Sequence, residues 1–214
     1  LIRPILAGQA DYVKGNRFLV PRAWEHIPKV RFLGNSVLSL LTKISSGYWH
    51  IADSQCGYTA INLECLQAID LNGLYPRYGF PNDILVQLNI ESLRVMDVPV
   101  KPLYNIGERS DMRIWKVCFT IASLLGRRFL RRMWQKYVIR DFHPLVFFYA
   151  LAGILLPAGI LLGVAILYYN TGVFVPPTDR LEVGWIVLSS LLLIAGVQSL
   201  FFAMWFDMDY NRQF

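Results

Sequence analysis

The sequence is poor in the residues that hold metal ions or build disulfide frameworks. It has three cysteines and three histidines among 214 residues, and none of them shows the paired spacing of a metal site. We therefore predict neither a zinc protein nor a disulfide-stapled domain, and no metal ligands within this chain. Internal repeats and low-complexity runs are also absent from the sequence, which argues against a solenoid and against a disordered chain.

Charge is missing from two long stretches in the last third of the chain. Residues 144–178 and 183–206 contain no Asp, Glu, Lys or Arg. A helix needs about 20 apolar residues to cross the hydrocarbon layer of a bilayer, and each stretch is long enough. Pro176 and Pro177 mark a turn between them. The sequence therefore predicts a transmembrane helical hairpin over residues 143–207, followed by a cytoplasmic tail over 208–214.

A strongly basic segment stands directly before this hairpin. Between Lys101 and His143 there are ten basic residues and only three acidic ones, although the whole chain has a net charge of +6. Basic residues beside a span are retained in the cytoplasm, so we predict a multi-pass membrane protein with its polar domain and both termini in the cytoplasm. Because the cluster adjoins a span, attraction to anionic lipid is the preferred explanation, and no nucleic-acid partner is predicted.

Residues 112–138 have the periodicity of a long helix. Apolar and aromatic residues recur there at spacings of three and four, and Arg127, Arg128, Arg131, Arg132 and Lys136 crowd its second half. Such a pattern is typical of a helix that lies in the membrane interface. We predict amphipathic interfacial helices over residues 111–142, with Gly126 as a candidate break. The alternative is a helix that packs on its own globular domain.

Residues 1–110 have the mixed pattern of an α/β domain. Strands are predicted over 10–13 and 94–100, the first of them entering a polar loop, Lys14–Arg17. Helices are predicted over 28–43, 63–71 and 81–93, because each range offers apolar residues at helical spacing or a polar cap at its start.

Four polar clusters within the first 113 residues are candidates for chemistry. They are Lys14–Arg17, Asp53–Tyr58, Phe80–Asp83, and Gly107–Ser110 together with Arg113. Taken singly, each is more easily explained as a solvated turn or a helix cap. The candidate cations, which complement phosphate oxygens, are Lys14, Arg17, Arg109 and Arg113. The candidate catalytic carboxylates are Asp53 and Asp83, and Asp83 is the preferred general base if the acceptor is a hydroxyl.

In this order the clusters resemble the C-terminal half of a family 2 glycosyltransferase domain, which has the Rossmann-like GT-A fold. The most similar subgroup is the dolichol-phosphate mannose synthase-like enzymes, which build polyprenyl-phosphate sugars. The resemblance rests on Ala10–Arg17, the Asp53–Tyr58 turn, the helix start at Gly79–Asp83 and the strand ending Val98–Val100, all followed by a membrane tail. It implies a partial GT-A domain over residues 1–110 and inverting transfer from a nucleotide sugar to dolichyl or undecaprenyl phosphate, in the synthesis of cell-envelope glycans.

The resemblance also implies site residues and a cofactor. In the family, the turn matching Asp53–Tyr58 and a segment matching Gly107–Ser110 border the active site, so Gln55, Gly57 and Ser110 are expected to bind substrate. A divalent cation, Mg²⁺ or Mn²⁺, is implied as well, but no Asp-x-Asp motif precedes Lys14. The chain is therefore expected to be a C-terminal portion that is inactive alone. Asp111 stands where the family usually has Lys, so Arg109 or Arg113 is expected to supply that cation.

Two rival functions are open at this point. A processive polysaccharide synthase is disfavoured, because the sequence has no Gln-x-x-Arg-Trp motif and two spans cannot enclose a polymer channel. A non-catalytic membrane scaffold, or a subunit associated with a lipid-sugar flippase, would need only the hairpin and the basic segment. Gly153, Gly159 and Gly163 give the first span a small-residue face that permits close helix packing, and a homo-oligomer is one outcome of such packing.

Overall fold

The protein is described by a computed structural model that covers residues 1–21, 29–101, 114–170 and 183–214. These residues form two compact units. The first unit comprises Leu1–Asp141 together with Met208–Phe214, and the second comprises Phe142–Asp207. The described chain is mostly helical, and its small three-stranded sheet lies in the first unit.

The sheet consists of β1 (Tyr12–Asn16), β2 (Thr59–Ile61) and β3 (Val95–Pro99). Strand β1 lies in the centre, antiparallel to β2 and parallel to β3. The predicted strand over 94–100 is confirmed as β3. The prediction of a loop at Lys14 was wrong, because β1 continues through Asn16. Neighbouring strands on both sides stabilise this polar stretch as a strand, and local propensity alone could not show them.

The first unit also contains five α-helices among its described residues. They are α1 (Arg3–Leu6), α2 (Lys29–Ser46), α3 (Leu63–Ala68), α4 (Phe80–Ile90) and α5 (Ile114–Trp134), and a π-helix follows over Gln135–Arg140. Helix α3 begins where the Asn62 side chain accepts a hydrogen bond from the Cys65 amide at 2.7 Å. The three helices predicted in residues 28–93 are confirmed, with ends that differ from the prediction by three residues at most.

Helix α5 packs on its own domain and contacts α2 and α4. Ile121 and Leu125 are buried against Leu38 of α2, and the helix continues unbroken through Gly126. Its outward side keeps Phe119, Leu130 and Trp134 exposed. The inner face of α5 therefore packs on the globular domain, which is the alternative that the sequence left open.

Part of the basic segment points into the first unit. Arg132 is fully buried and donates hydrogen bonds to the Ser45 and Ile44 carbonyls at 2.8 and 3.0 Å, in the last turn of α2. Lys136 is also buried, and its ammonium group donates to the carbonyl of Asn89 at 2.7 Å and to Asn211 Oδ1 at 2.9 Å. Both cations contact carbonyl groups in the last turn of a helix, where a positive charge is favourable.

The second unit is a pair of long apolar helices, α6 (Leu145–Asn170) and α7 (Val183–Tyr210). The end of α7, from Met208 onwards, belongs to the first unit. Their most apolar windows have mean hydropathies of 2.5 and 2.2, and only 17% and 22% of those windows is buried. A core helix of a soluble protein would be mostly buried, so the two helices are candidate membrane spans. A Cβ at Gly159 would lie 2.9 Å from Leu193, because the two helices approach closely there. The predicted turn at Pro176 and Pro177 lies outside the described residues.

Candidate active site

Polar side chains gather where β1 ends, on the side of the sheet that faces the 52–58 segment. Every residue of β1 is buried, including Lys14 and Asn16. The surroundings of Gly15 leave no room for a side chain. A Cβ at this position would lie 2.9 Å from Val100 and 3.1 Å from the sulfur of Cys56. A larger residue would push the 52–58 segment away from the strand, so Gly15 permits the close approach that assembles the cluster.

An ion pair between Arg17 and Asp53 lies at the centre of this cluster. The guanidinium donates from Nε to Asp53 Oδ2 at 2.7 Å and from Nη2 to Oδ1 at 2.9 Å. The backbone amide of Arg17 donates to the same Oδ2 at 3.1 Å. Asp53 is fully buried, whereas the Arg17 side chain keeps 21% of its surface exposed. The two-point contact therefore fixes the plane of a guanidinium that solvent can still reach.

The ammonium group of Lys14 faces the backbone of the predicted turn. Lys14 is fully buried, and its Nζ donates a hydrogen bond to the carbonyl of Cys56. Burial lowers the pKa of Lys14 from 10.5 to about 8, although the nearby carboxylates of Asp53 and Asp97 counteract part of that shift. In this arrangement Lys14 holds the turn in place and is itself shielded from solvent.

A hydrogen-bond network joins the same turn to the start of α4. Gln55 Nε2 donates to Asn82 Oδ1 at 2.7 Å and to the Ser54 hydroxyl at 2.9 Å. Thr42 of α2 donates its hydroxyl hydrogen to the same Asn82 oxygen at 2.8 Å. The structure thus brings together three of the four predicted clusters, those at 14–17, 53–58 and 80–83.

Gly57 and Tyr58 form the exposed tip of the turn. A Cβ at Gly57 would meet no atom within 4 Å, and Tyr58 keeps 73% of its surface exposed. An aromatic ring and an open backbone in this position can contact a flat group of a ligand that approaches the cluster.

Asp83 makes its contacts elsewhere. Its Oδ2 accepts hydrogen bonds from the Tyr75 amide and from Nη2 of Arg128, both at 2.7 Å, and Arg128 Nε lies 2.6 Å from Oδ1. Asp83 is fully buried, and this burial raises the pKa of its carboxyl group, while Tyr75 and Arg128 counteract part of the rise. The two candidate catalytic carboxylates, Asp53 and Asp83, are therefore each paired with a different arginine.

Sequence reasoning missed Asp97 and Arg128. Asp97 lies in β3, where its Oδ2 accepts a hydrogen bond from Asn16 Nδ2 at 2.6 Å. The available sequence signal for Asp97 was its position as a carboxylate within a strand whose polar and apolar residues alternate. No signal distinguished Arg128 from the other arginines of α5, because its partners are distant in the sequence.

The remaining predicted site residues, Arg109, Ser110 and Arg113, lie outside the described residues. Within the part of the chain that the structure describes, no three His, Cys, Asp or Glu side chains group closely enough to hold a metal ion. The divalent cation stays a prediction from the family resemblance, which expects its Asp-x-Asp ligands outside this chain.

Comparison with known proteins supports a distant relationship to glycosyltransferases. No protein-family model matches the chain. It is 29% identical over 104 residues to a UDP-N-acetylglucosamine–dolichyl-phosphate N-acetylglucosaminyltransferase of Methanococcus voltae, a match that covers 49% of this chain and 41% of the relative. It is 26% identical over 104 residues to an uncharacterized protein of Methanocaldococcus jannaschii, with coverages of 49% and 42%. The chain thus spans about two fifths of the length of these curated relatives.

Proposed function

We propose that this chain is the C-terminal, membrane-anchored part of an inverting family 2 glycosyltransferase with a GT-A catalytic domain. The enzyme would move a sugar from a nucleotide sugar to a polyprenyl phosphate. The observation that carries this proposal is the convergence of the 14–17, 53–58 and 80–83 segments on one hydrogen-bonded cluster with a partly exposed arginine. The similarity to a dolichyl-phosphate sugar transferase and the two candidate membrane spans support the same function.

The chemistry of a phosphate acceptor suits the charges of this cluster. A phosphate oxygen of the lipid attacks the anomeric carbon, and the bond from that carbon to the diphosphate breaks with its electron pair leaving on the nucleotide. A phosphate monoester has a second pKa of about 6 and is already an anion near neutral pH. The reaction therefore needs cations that hold the phosphate in line more than it needs a strong base.

The carboxylates point to the same acceptor class. Both oxygens of Asp53 contact Arg17, and both oxygens of Asp83 contact Arg128. Both carboxylates are thus occupied by a guanidinium, and neither has an oxygen directed towards a substrate hydroxyl as a general base requires. We assign to Asp53 the role of orienting the Arg17 guanidinium towards the acceptor phosphate. Asp83 would act as a general base only if Arg128 moved away.

The test is a transfer assay with the full-length gene product in detergent or nanodiscs. Nucleotide sugars are offered one at a time with polyprenyl phosphate, and the lipid-linked product is measured. Replacement of Arg17 by Ala should lower kcat by about 100-fold, the typical cost of losing one donor that stabilises transferred charge.

A matched control exists at the other end of β1, where Arg94 pairs with Asp11 at 3.0 Å on the exposed side of the sheet. Replacement of Arg94 by Ala should leave kcat near the wild-type value. Equal losses in the two variants would contradict the role of Arg17. A folded wild-type protein that transfers no sugar to any lipid phosphate would favour the membrane scaffold or flippase-associated subunit.

A further inference from the structure

Asp97 lies in β3, next to the strand that leads to Arg17. We propose that Asp97 is a positioning residue, which holds the two backbone segments that carry Arg17 and Asp53 in register with each other. This inference rests on the proposed function for its catalytic consequence, but its structural content can be measured without any activity.

One oxygen atom of Asp97 joins the two segments. Its Oδ2 accepts hydrogen bonds from Asn16 Nδ2 at 2.6 Å and from the Ala52 amide at 2.9 Å. Asn16 immediately precedes Arg17, and Ala52 immediately precedes Asp53. Each member of the ion pair therefore follows a residue that is bound to the same carboxylate oxygen.

The side chain of Asn16 also holds the backbone that follows Arg17. Its Oδ1 accepts a hydrogen bond from the Phe18 amide at 2.8 Å, while its Nδ2 donates to Asp97. The backbone on both sides of Arg17 is thus fixed through one amide side chain. The register of β1 and β3 makes this geometry possible, since Lys14 pairs with Asp97 and alternate residues point to the same face.

Asp97 is costly to the fold, which argues for a use beyond packing. Burial raises the pKa of its carboxyl group, although the hydrogen bonds from Ala52 and Asn16 and the charge of Lys14 counteract part of the rise. Its second oxygen, Oδ1, is buried and has no hydrogen-bond partner among the described residues. An apolar β-branched residue would fill a strand position without this desolvation penalty. An apolar residue at position 97 could not accept the two hydrogen bonds that Oδ2 accepts.

The geometry provides a sharp pair of variants. Because a single oxygen accepts both hydrogen bonds, an Asn at position 97 can accept both through its one carbonyl oxygen, whereas an Ala loses both. Asp97→Asn should therefore retain the positioning and Asp97→Ala should abolish it. Asp11 supplies the matched control, since its carboxylate also joins two segments, accepting from the Arg94 amide at 2.8 Å and from Asn62 at 3.2 Å, at the other end of β1.

The first measurement is hydrogen–deuterium exchange of the full-length protein. In Asp97→Ala, peptides that contain residues 16–18 and 52–54 should exchange at least tenfold faster, while α4 keeps its wild-type protection. Asp97→Asn should match wild type, and Asp11→Ala should change only the opposite end of the sheet. Unchanged exchange at both segments in Asp97→Ala overturns the proposal, and so does an equal change in Asp97→Asn.

The second measurement is the split between kcat and KM in the transfer assay. A misplaced Arg17 should raise KM for the polyprenyl phosphate and lower kcat by a factor of about 10–100, because small misplacements of a positioning group are expensive. The KM for the nucleotide sugar should stay close to wild type, and Asp97→Asn should restore both parameters. Loss of local order with no kinetic change overturns the catalytic consequence. A wild-type protein without turnover overturns the proposed function, and the exchange experiment still decides the positioning.

Discussion

Two aspartate–arginine pairs lie in the same unit, and they differ in what surrounds them. Arg17 and Asp53 join the end of β1 to a turn with an exposed tip, and 21% of the Arg17 side chain remains exposed. Arg128 and Asp83 join α5 to α4, and Arg128 also donates to the carbonyl of Gly73 at 2.7 Å. The first pair presents a charged group at a surface, whereas the second ties helices and a turn together. The same two residue types are therefore partly exposed in one place and buried between helices in the other, which agrees with the role proposed for Arg17.

The largest expected effect comes from breaking the α4–α5 pair. Arg128→Met leaves the Asp83 carboxylate buried with only the Tyr75 amide as its described donor. Removal of one partner from a buried ion pair costs about 3–5 kcal/mol, so the free energy of unfolding should fall by that amount. Urea unfolding of the purified protein in detergent measures it. A loss below about 1 kcal/mol, the value of an exposed pair, would mean that Arg128 and Asp83 do not assemble the helices.

The pH dependence of this variant has a definite sign. Burial raises the pKa of Asp83 above its ordinary value of 3.8 in the folded state, and loss of Arg128 raises it further. The folded protein then binds a proton more tightly than the unfolded chain does, so stability falls as pH rises through that window. The defect of Arg128→Met should therefore shrink as the pH is lowered towards 4, and the double variant Asp83→Asn/Arg128→Met should recover part of the loss.

The second prediction concerns a variant that should lose less stability than Arg128→Met but much more transfer activity. Asp53→Asn keeps the shape of the side chain but removes the charge that orients Arg17, which can then turn to solvent. Loss of hydrogen bonds to a charged group costs about 1–3 kcal/mol, less than the expected cost of Arg128→Met. Transfer activity should nevertheless fall far more than in any variant of equal stability. An Asp53→Asn protein that is destabilised but fully active would show that both pairs are only structural.

The sequence could predict many of the elements, although not strand β2, and it could not predict this difference between the pairs. Local patterns predict the two apolar spans, the helices α2 to α4 and strand β3, because the periodicity of apolar residues can be seen within a short stretch of sequence. Arg128 contacts Asp83, Arg132 contacts Ser45 and Lys136 contacts Asn89, and each of these partners lies 45 or more residues away along the chain. No local pattern in α5 shows which arginine meets a carboxylate and which faces outward. For the same reason, the sequence could not show that Asp53 and Asp83 are paired with different arginines.

The third prediction concerns the buried ammonium group of the candidate site. Lys14 has a pKa of about 8 in the folded protein and 10.5 as its ordinary value. The unfolded chain therefore binds more protons between pH 8 and 10.5, and stability should rise with pH across this window by at most about 1.4 kcal/mol per pH unit. The contribution is complete above 10.5 and is lost as the pH falls through 8.

The control for this titration is Lys14→Met, which removes the group without adding another charge. The difference in unfolding free energy between wild type and Lys14→Met, measured at several values from pH 7 to 10.5, isolates Lys14 from other groups that titrate in the same range. Parallel curves would contradict the buried ammonium and would place Lys14 in solvent. A difference that grows with pH would show that the buried ammonium group costs stability at neutral pH.

The smallest effect on stability is expected on the outward face of α5, and it sharpens the contrast with the inward arginines. Arg127 and Arg131 are exposed, whereas Arg128 and Arg132 are turned inward. Arg127→Gln/Arg131→Gln should change the unfolding free energy in plain detergent by no more than about 0.5 kcal/mol per site, as is usual for surface substitutions. Each basic residue near an anionic membrane surface contributes about 1 kcal/mol. The double variant should therefore lose most of the thermal stabilisation that anionic phospholipid gives to the wild type. An unchanged response to anionic lipid would restrict the interfacial prediction to the apolar residues of this face, Phe119, Leu130 and Trp134.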